Sequence, residues 1–254
     1  MPWTLPSHEH KRFQRNPLAA VIVQLRFDPI LKIATGVPDF QDKIRSRFSL
    51  YEERDVKVVE VEAPSVSAVR TRRVKEHRFR TRGEPTTVVL GDQGVSLEYL
   101  AHQHRDVLLP DVKLVTDSLS STFQDVSPTR LGLRYVNVVD RDRVAADAGS
   151  PAEWSDLIEP SFLQMPAALA DLAGTRFANE ITSEMPVGAM TLRYGLLPAS
   201  EDRLGFRLDI DRYHQESFDM ADVEALVRAF ADDIFQVFMA AAGPSLVDWM
   251  EEEA

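Results

Sequence analysis

The residues best suited to chemistry in this chain are arginines and carboxylates set at alternating positions. Arg130-Leu131-Gly132-Leu133-Arg134 returns as Arg203-Leu204-Gly205-Phe206-Arg207, and Asp209 and Asp211 follow the second copy. Side chains alternate between the two faces of a strand. The first copy therefore sets Leu131, Leu133 and Tyr135 against Arg130, Gly132 and Arg134. The second sets Leu204, Phe206, Leu208 and Ile210 against Arg203, Gly205, Arg207, Asp209 and Asp211. Leu25-Arg26-Phe27 and Leu192-Arg193-Tyr194 share the design. If these strands are neighbours, Arg26, Arg134, Arg193 and Arg207 form a band on an outer face, answered by Asp209 and Asp211. Guanidinium forks suit carboxylate and phosphate. The band reads as a cross-strand charge ladder or as an anion or partner site. Gly132 and Gly205 leave a gap in side-chain cover that would admit a ligand or another backbone, or mark a bulge.

Other constellations are weaker. Asp209 and Asp211 would suit Mg²⁺ or acid–base work. They lie near Arg203, Arg207 and Arg212 in sequence, so salt pairing is the simpler fate. The densest basic run spans residues 70–82, with seven Lys/Arg and one acid. Arg78, Arg80 and Arg82 would line one face of a hairpin there, reading either as phosphate contacts, with Phe79 or His77 stacking on a base, or as a charged edge that resists aggregation. His8-Glu9-His10 and His102-Gln103-His104 have spacing a metal would accept on a strand, but no HExxH or carboxylate-rich loop supports them. The chain has no P-loop, GxGxxG, GxSxG or kinase motif. The binding candidates are thus Arg78, Arg80, Arg82, Arg134, Arg207, Asp209 and Asp211. No catalytic residue, metal or cofactor is expected.

Periodicity predicts the elements that position these residues. Strands are expected at 18–28, 56–62, 66–72, 76–82, 86–91, 94–100, 129–139, 176–185, 188–197 and 203–213. Helices are expected at 38–51, started by Pro38, and from Pro110 to about Phe123, with Asp111 in the first turn. A long helix follows Asp219 as N-cap, carries Val223, Leu226, Val227, Phe230, Ile234 and Phe238, and stops at Gly243-Pro244, with a short turn of helix to Met250. Residues 141–174, broken by Pro151, Pro160 and Pro166, read as a helical, proline-rich excursion. The order predicts α+β, a mostly antiparallel sheet with long helices packed on one face. Residues 1–140 and 175–254 would form one integrated domain. The recurring phrase raises the idea of two related halves, although a helix precedes the first copy and strands precede the second.

Composition narrows the function classes. The chain has 254 residues, a net charge of −11 and no cysteine, which removes disulfide and thiolate chemistry. Residues 1–140 carry 21 Lys/Arg against 18 Asp/Glu, and residues 141–254 carry 8 against 22. This imbalance argues against nonspecific coating of nucleic acid and suits a protein partner or head-to-tail association. No apolar run approaches the roughly 20 residues that span a bilayer, and the first fifteen residues lack a signal-peptide core. A cytoplasmic location, without membrane contact, is the expectation.

Three segments also resemble a sporadically distributed family of uncharacterised prokaryotic proteins. They are Pro17-Leu18-Ala19-Ala20-Val21-Ile22-Val23-Gln24-Leu25-Arg26-Phe27, Arg130 to Asn137, and Leu208-Asp209-Ile210-Asp211-Arg212-Tyr213 ahead of a terminal helix with Phe235 and Phe238. The resemblance implies one full-length module with no activity to transfer, and accessory cargo of defence or mobile-element neighbourhoods. The leading expectation is a non-catalytic accessory protein acting through protein–protein contact. The alternatives are nucleic-acid or nucleotide binding through 70–82, and a metal-dependent phosphotransfer or hydrolytic enzyme on Asp209 and Asp211. Self-association through a sheet edge or the terminal helix stays open.

Overall fold

Val21, Val23, Leu25 and Phe27 alternate with Ile22, Gln24 and Arg26, and in the computed structural model the first set is buried on one face of β1 (Leu18–Phe27). The structure describes residues 7–61, 69–83, 85–100, 105–164, 176–200 and 203–251. The fold is α+β. Helix α1 (Ile33–Ile44) is followed by a meander of β2 (Leu50–Val61), β3 (Val69–Arg80), β4 (Thr86–Gly91) and β5 (Gly94–Tyr99). Helix α2 (Arg105–Thr122) leads to β6 (Pro128–Val139), then α3 (Arg141–Ala148) and α4 (Trp154–Leu157). Strands β7 (Asn179–Glu184), β8 (Ala189–Ser200) and β9 (Arg203–His214) precede α5 (Val223–Ala241) and α6 (Pro244–Met250).

All nine strands join one antiparallel sheet in the order β2-β3-β4-β5-β1-β6-β9-β8-β7. The connectivity repeats. β1 and β6 lie side by side at the centre, each is followed by helix, and each is then flanked by the meander that closes its half. The equivalent strands in this scheme are β1 and β6. The two copies of the sequence phrase lie instead on β6 and β9, which are antiparallel neighbours.

The core forms where apolar strand positions meet the helices. Val23 and Leu25 of β1 and Val95 and Leu97 of β5 converge with Val112 and Val115 of α2 and Val223 of α5. Phe40 of α1 tilts against Phe79 of β3, with centroids 5.6 Å apart. Helix α5 packs on β6 and β9 and against α2. Burial of this side by Phe, Leu, Ile and Val supplies most of the folding drive.

Several boundaries differ from expectation. Both α1 and α2 begin five residues ahead of the proline expected to start them, so Pro38 and Pro110 are interior. Each proline forgoes an intrahelical hydrogen bond, and buried Phe40, Ile44, Val112, Val115 and Leu119 hold the helices in place. The stretches 66–72 and 76–82 are not two strands; residues 69–80 form one, β3, paired throughout with β2. Asp219 has the extended backbone of a cap, but a turn of 3₁₀ helix at Met220–Asp222 intervenes before α5 and its side chain makes no capping bond. The excursion after β6 contains α3, α4 and a 3₁₀ turn at Pro160–Phe162; its residues 165–174 lie outside the described set. Among the described residues, no helix is long and apolar enough to cross a membrane.

Candidate functional site

Strand register decides where the charged candidates fall. Gln24 of β1 lies opposite Ser96 on one side and Gly132 on the other; Ser96 lies opposite Val89, and Val89 opposite Arg78. Gly132 lies opposite Tyr213 of β9. Residues opposite one another share a face. Arg78 and Arg80 therefore stand on the same sheet face as Arg134, Arg207, Asp209 and Asp211. This face is the one turned away from the apolar core, and it opens to solvent at Arg26, Arg54 and Arg80. Two groups of residues that are far apart in sequence thus belong to one charged surface. Arg82 lies past the end of β3, where its Nε donates to Ser49 Oγ at 3.3 Å.

The predicted arginine band is present. Arg134 donates from Nε to Asp209 Oδ1 at 2.7 Å and from Nη2 to Oδ2 at 2.6 Å. Arg207 Nη2 donates to the same Oδ2 at 3.1 Å. Two guanidiniums cover one carboxylate, and the Asp209 side chain is only 1% exposed. The hydrogen bonds it donates to Asp209 hold the Arg134 guanidinium more firmly charged than usual. Arg193 pairs with Glu180 of β7, and Arg26 Nε donates to Gln24 Oε1 at 3.1 Å.

Asp211 finds a partner outside the expected band. Arg130 Nη2 donates to Asp211 Oδ2 at 3.4 Å, Nη1 donates to Gln24 Oε1 at 3.3 Å, and the guanidinium lies 5.0 Å from the Tyr213 ring centroid. Burial raises the Asp211 pKa and lowers that of Arg130, so desolvation outweighs their attraction at this distance. The gap at Gly132 is filled from within: a Cβ there would stand 2.6 Å from Arg130 Nη1. Gly132 is a seat for the Arg130 side chain.

The basic run is neutralised in the same way. Arg78 donates to Glu98 at 3.0 Å and to Glu76 at 3.3 Å. Arg80 approaches Glu52 at 4.0 Å, and Arg54 donates to both Glu52 oxygens. The side chains of Arg70, Arg72 and Arg203 lie outside the described residues. His77 and Phe79 cannot present themselves beside Arg78, because they point to the core side: His77 is 6% exposed and its Nδ1 lies 3.0 Å from Tyr51 Oη.

Arg212 is also misplaced by sequence proximity. It is on the core face, 3% exposed, where Nε donates to Asp233 of α5 at 2.8 Å and the guanidinium stacks 4.5 Å from the Phe230 centroid. It takes no part in holding Asp209 or Asp211. His8 and His10 do not converge on a metal. His8 pairs through its backbone with Gln236, and His10 stacks on Phe235. His102 and His104 lie outside the described residues. Among the described residues no group of three or more His, Asp and Glu is placed to hold a metal ion.

No protein-family model matches this chain, and no curated protein is significantly similar to it. What the surface can do then rests on its chemistry. It is broad and polar, with opposite charges interleaved on neighbouring strands. Sequence reasoning missed Arg130 as the partner of Asp211, although Arg130 has the same parity as Arg134. It also missed Glu52, Glu76, Glu98 and Glu180, whose alternation with the arginines was visible only once strand order was known.

Proposed function

We propose that this chain is a non-catalytic accessory protein that acts through protein–protein contact, using the open charged face of its sheet. The pairing of Arg134 and Arg207 on one covered carboxylate carries the reading. A site that captures phosphate or drives acid–base chemistry needs cations or carboxylates available to a ligand. Here Asp209 is sealed and Arg78, Arg130, Arg134, Arg193 and Arg207 each hold an internal partner. A polyanion would have to displace those carboxylates. A protein surface of alternating charge would dock against them and gain orientation and specificity from the pattern.

The resemblance to a patchily distributed prokaryotic family supports a partner encoded nearby, in a defence or mobile-element setting. Co-expression with the products of adjacent genes tests the reading. The expected result is a stable complex that is lost on charge reversal of Arg80 and Arg193, one on each flank of the face, with the fold intact.

A further inference from the structure

Strand β2 ends the sheet, and among the described residues no other strand pairs with its outer edge. Such an edge offers a row of amide and carbonyl groups to any chain that matches it, and short strands, bulges, prolines and charges are the usual protection. β2 has only the charges: it is twelve residues long, without proline, and pairs with β3 in unbroken register. It also outruns its support. β3 meets β4 only from His77 to Arg80, so from Arg54 and Glu76 outward β2 and β3 continue as a two-stranded ribbon. Two strands alone are marginal in water, and a further strand steadies them.

The charges on the ribbon are not balanced within it. Asp55 lies opposite Lys75 and Lys57 opposite Arg73, all four exposed. Lys75 Nζ donates to Glu53 Oε1 at 2.6 Å. Lys57 and Arg73 form no ion pair among the described residues, and like charges directly opposite one another destabilise a sheet. On the other side of the ribbon Val56 lies opposite Val74, an apolar pair in a charged setting, both half-buried.

These features select one way to extend the ribbon. Residues opposite one another share a face. Two copies of β2 paired antiparallel about a two-fold axis therefore set one residue opposite its own copy. Centring the axis on Arg54, Asp55 or Lys57 brings identical charges together. Centring it on Val56 sets valine on valine and places Asp55 opposite Lys57 twice, once on each side of the axis. Val74 and Val56 then continue into their copies as one apolar row, and Lys57 gains a carboxylate. Farther out, Glu52 falls opposite Glu60 of the second copy, but Arg54 already donates to both Glu52 oxygens.

We propose that this chain forms a homodimer through antiparallel pairing of β2 with β2 of a second copy, centred on Val56. The two ribbons become a four-stranded sheet in the order β3-β2-β2-β3. Dimerisation needs no other protein, so its failure is distinct from failure of the complex with a neighbouring gene product.

Sedimentation velocity of the full chain alone, across a concentration series, measures it. The wild type is expected to dimerise. Asp55→Lys sets two ammoniums opposite one another in each symmetric rung, and Lys57→Asp sets two carboxylates there. Each variant alone is expected to self-associate at least about tenfold more weakly, with native far-ultraviolet dichroism. Mixed in equal amounts, the two variants restore an opposite-charge pair in both rungs and are expected to form a heterodimer of wild-type affinity. A wild type that stays monomeric, folded single variants that dimerise like the wild type, or a mixture that stays monomeric would each overturn the proposal.

Discussion

Arg134 and Asp209 form a two-bond pair across a diagonal of the sheet. Register sets Arg134 opposite Asp211 and Asp209 opposite Val136, yet the guanidinium reaches past its direct neighbour to close bonds of 2.7 and 2.6 Å. Diagonal positions on adjacent strands are within reach of a long side chain. The choice follows from geometry: Asp209 accepts from two arginines at once, and Asp211 is left to Arg130.

The pair ties β6 to its neighbour β9. Arg134→Met leaves a buried carboxylate with Arg207 alone, and is expected to cost about 2–3 kcal/mol in urea unfolding. The double variant Arg134→Met/Asp209→Leu is expected to recover most of that loss, because the unpaired charge is gone. A double variant as unstable as the single one would show that the pair is not the unit of stability.

Acid sensitivity should arise at His77. Burial holds its pKa below the ordinary 6.5, with the Glu53 carboxylate 3.9 Å away pulling the other way. The folded chain keeps the imidazole neutral while the unfolded chain takes up a proton as pH falls through 6.5. The stabilisation is complete above 6.5 and is lost as pH drops toward the folded value. Unfolding free energies measured from about pH 7.5 to 5.5 should therefore decline in the wild type and decline less in His77→Gln. Equal slopes would exclude His77 as the source.

Two glycines should respond differently to alanine. At Gly243 an added Cβ would stand 2.4 Å from the Asp156 carbonyl oxygen, where the backbone after α5 bonds to Leu157. At Gly132 it would meet only the tip of Arg130, which can swing aside. Gly243→Ala is expected to cost about 1–3 kcal/mol and Gly132→Ala less than about 1 kcal/mol. Chemical denaturation of the two variants checks the order, and a reversal would contradict the packing at Gly243.

Alternation of side chains made most strands legible, because Val21, Val23, Leu25 and Phe27 report their face without help from the rest of the chain. Helix starts were not. Pro38 reads locally as a helix start, but Gly36 ahead of it is already helical and lies where α1 meets the end of α2, and a Cβ there would stand 2.5 Å from Phe123 Cε1. That contact spans most of a hundred residues and leaves no local trace. Arg212 was legible in principle: it shares parity with Leu208 and Ile210, and nearness to Asp211 obscured it. Strand order was the missing quantity, and it alone shows that Arg78 and Arg134 stand on one face.

The most direct test of the account is size-exclusion analysis of the chain co-expressed with the products of its neighbouring genes, wild type beside Arg80→Glu/Arg193→Glu. These arginines are 53% and 43% exposed on opposite flanks of the charged face, so reversal alters the surface and spares the core. The account predicts a stable complex with the wild type and its loss with a folded double variant. A complex that survives both reversals, or no complex with any neighbouring product, would contradict it.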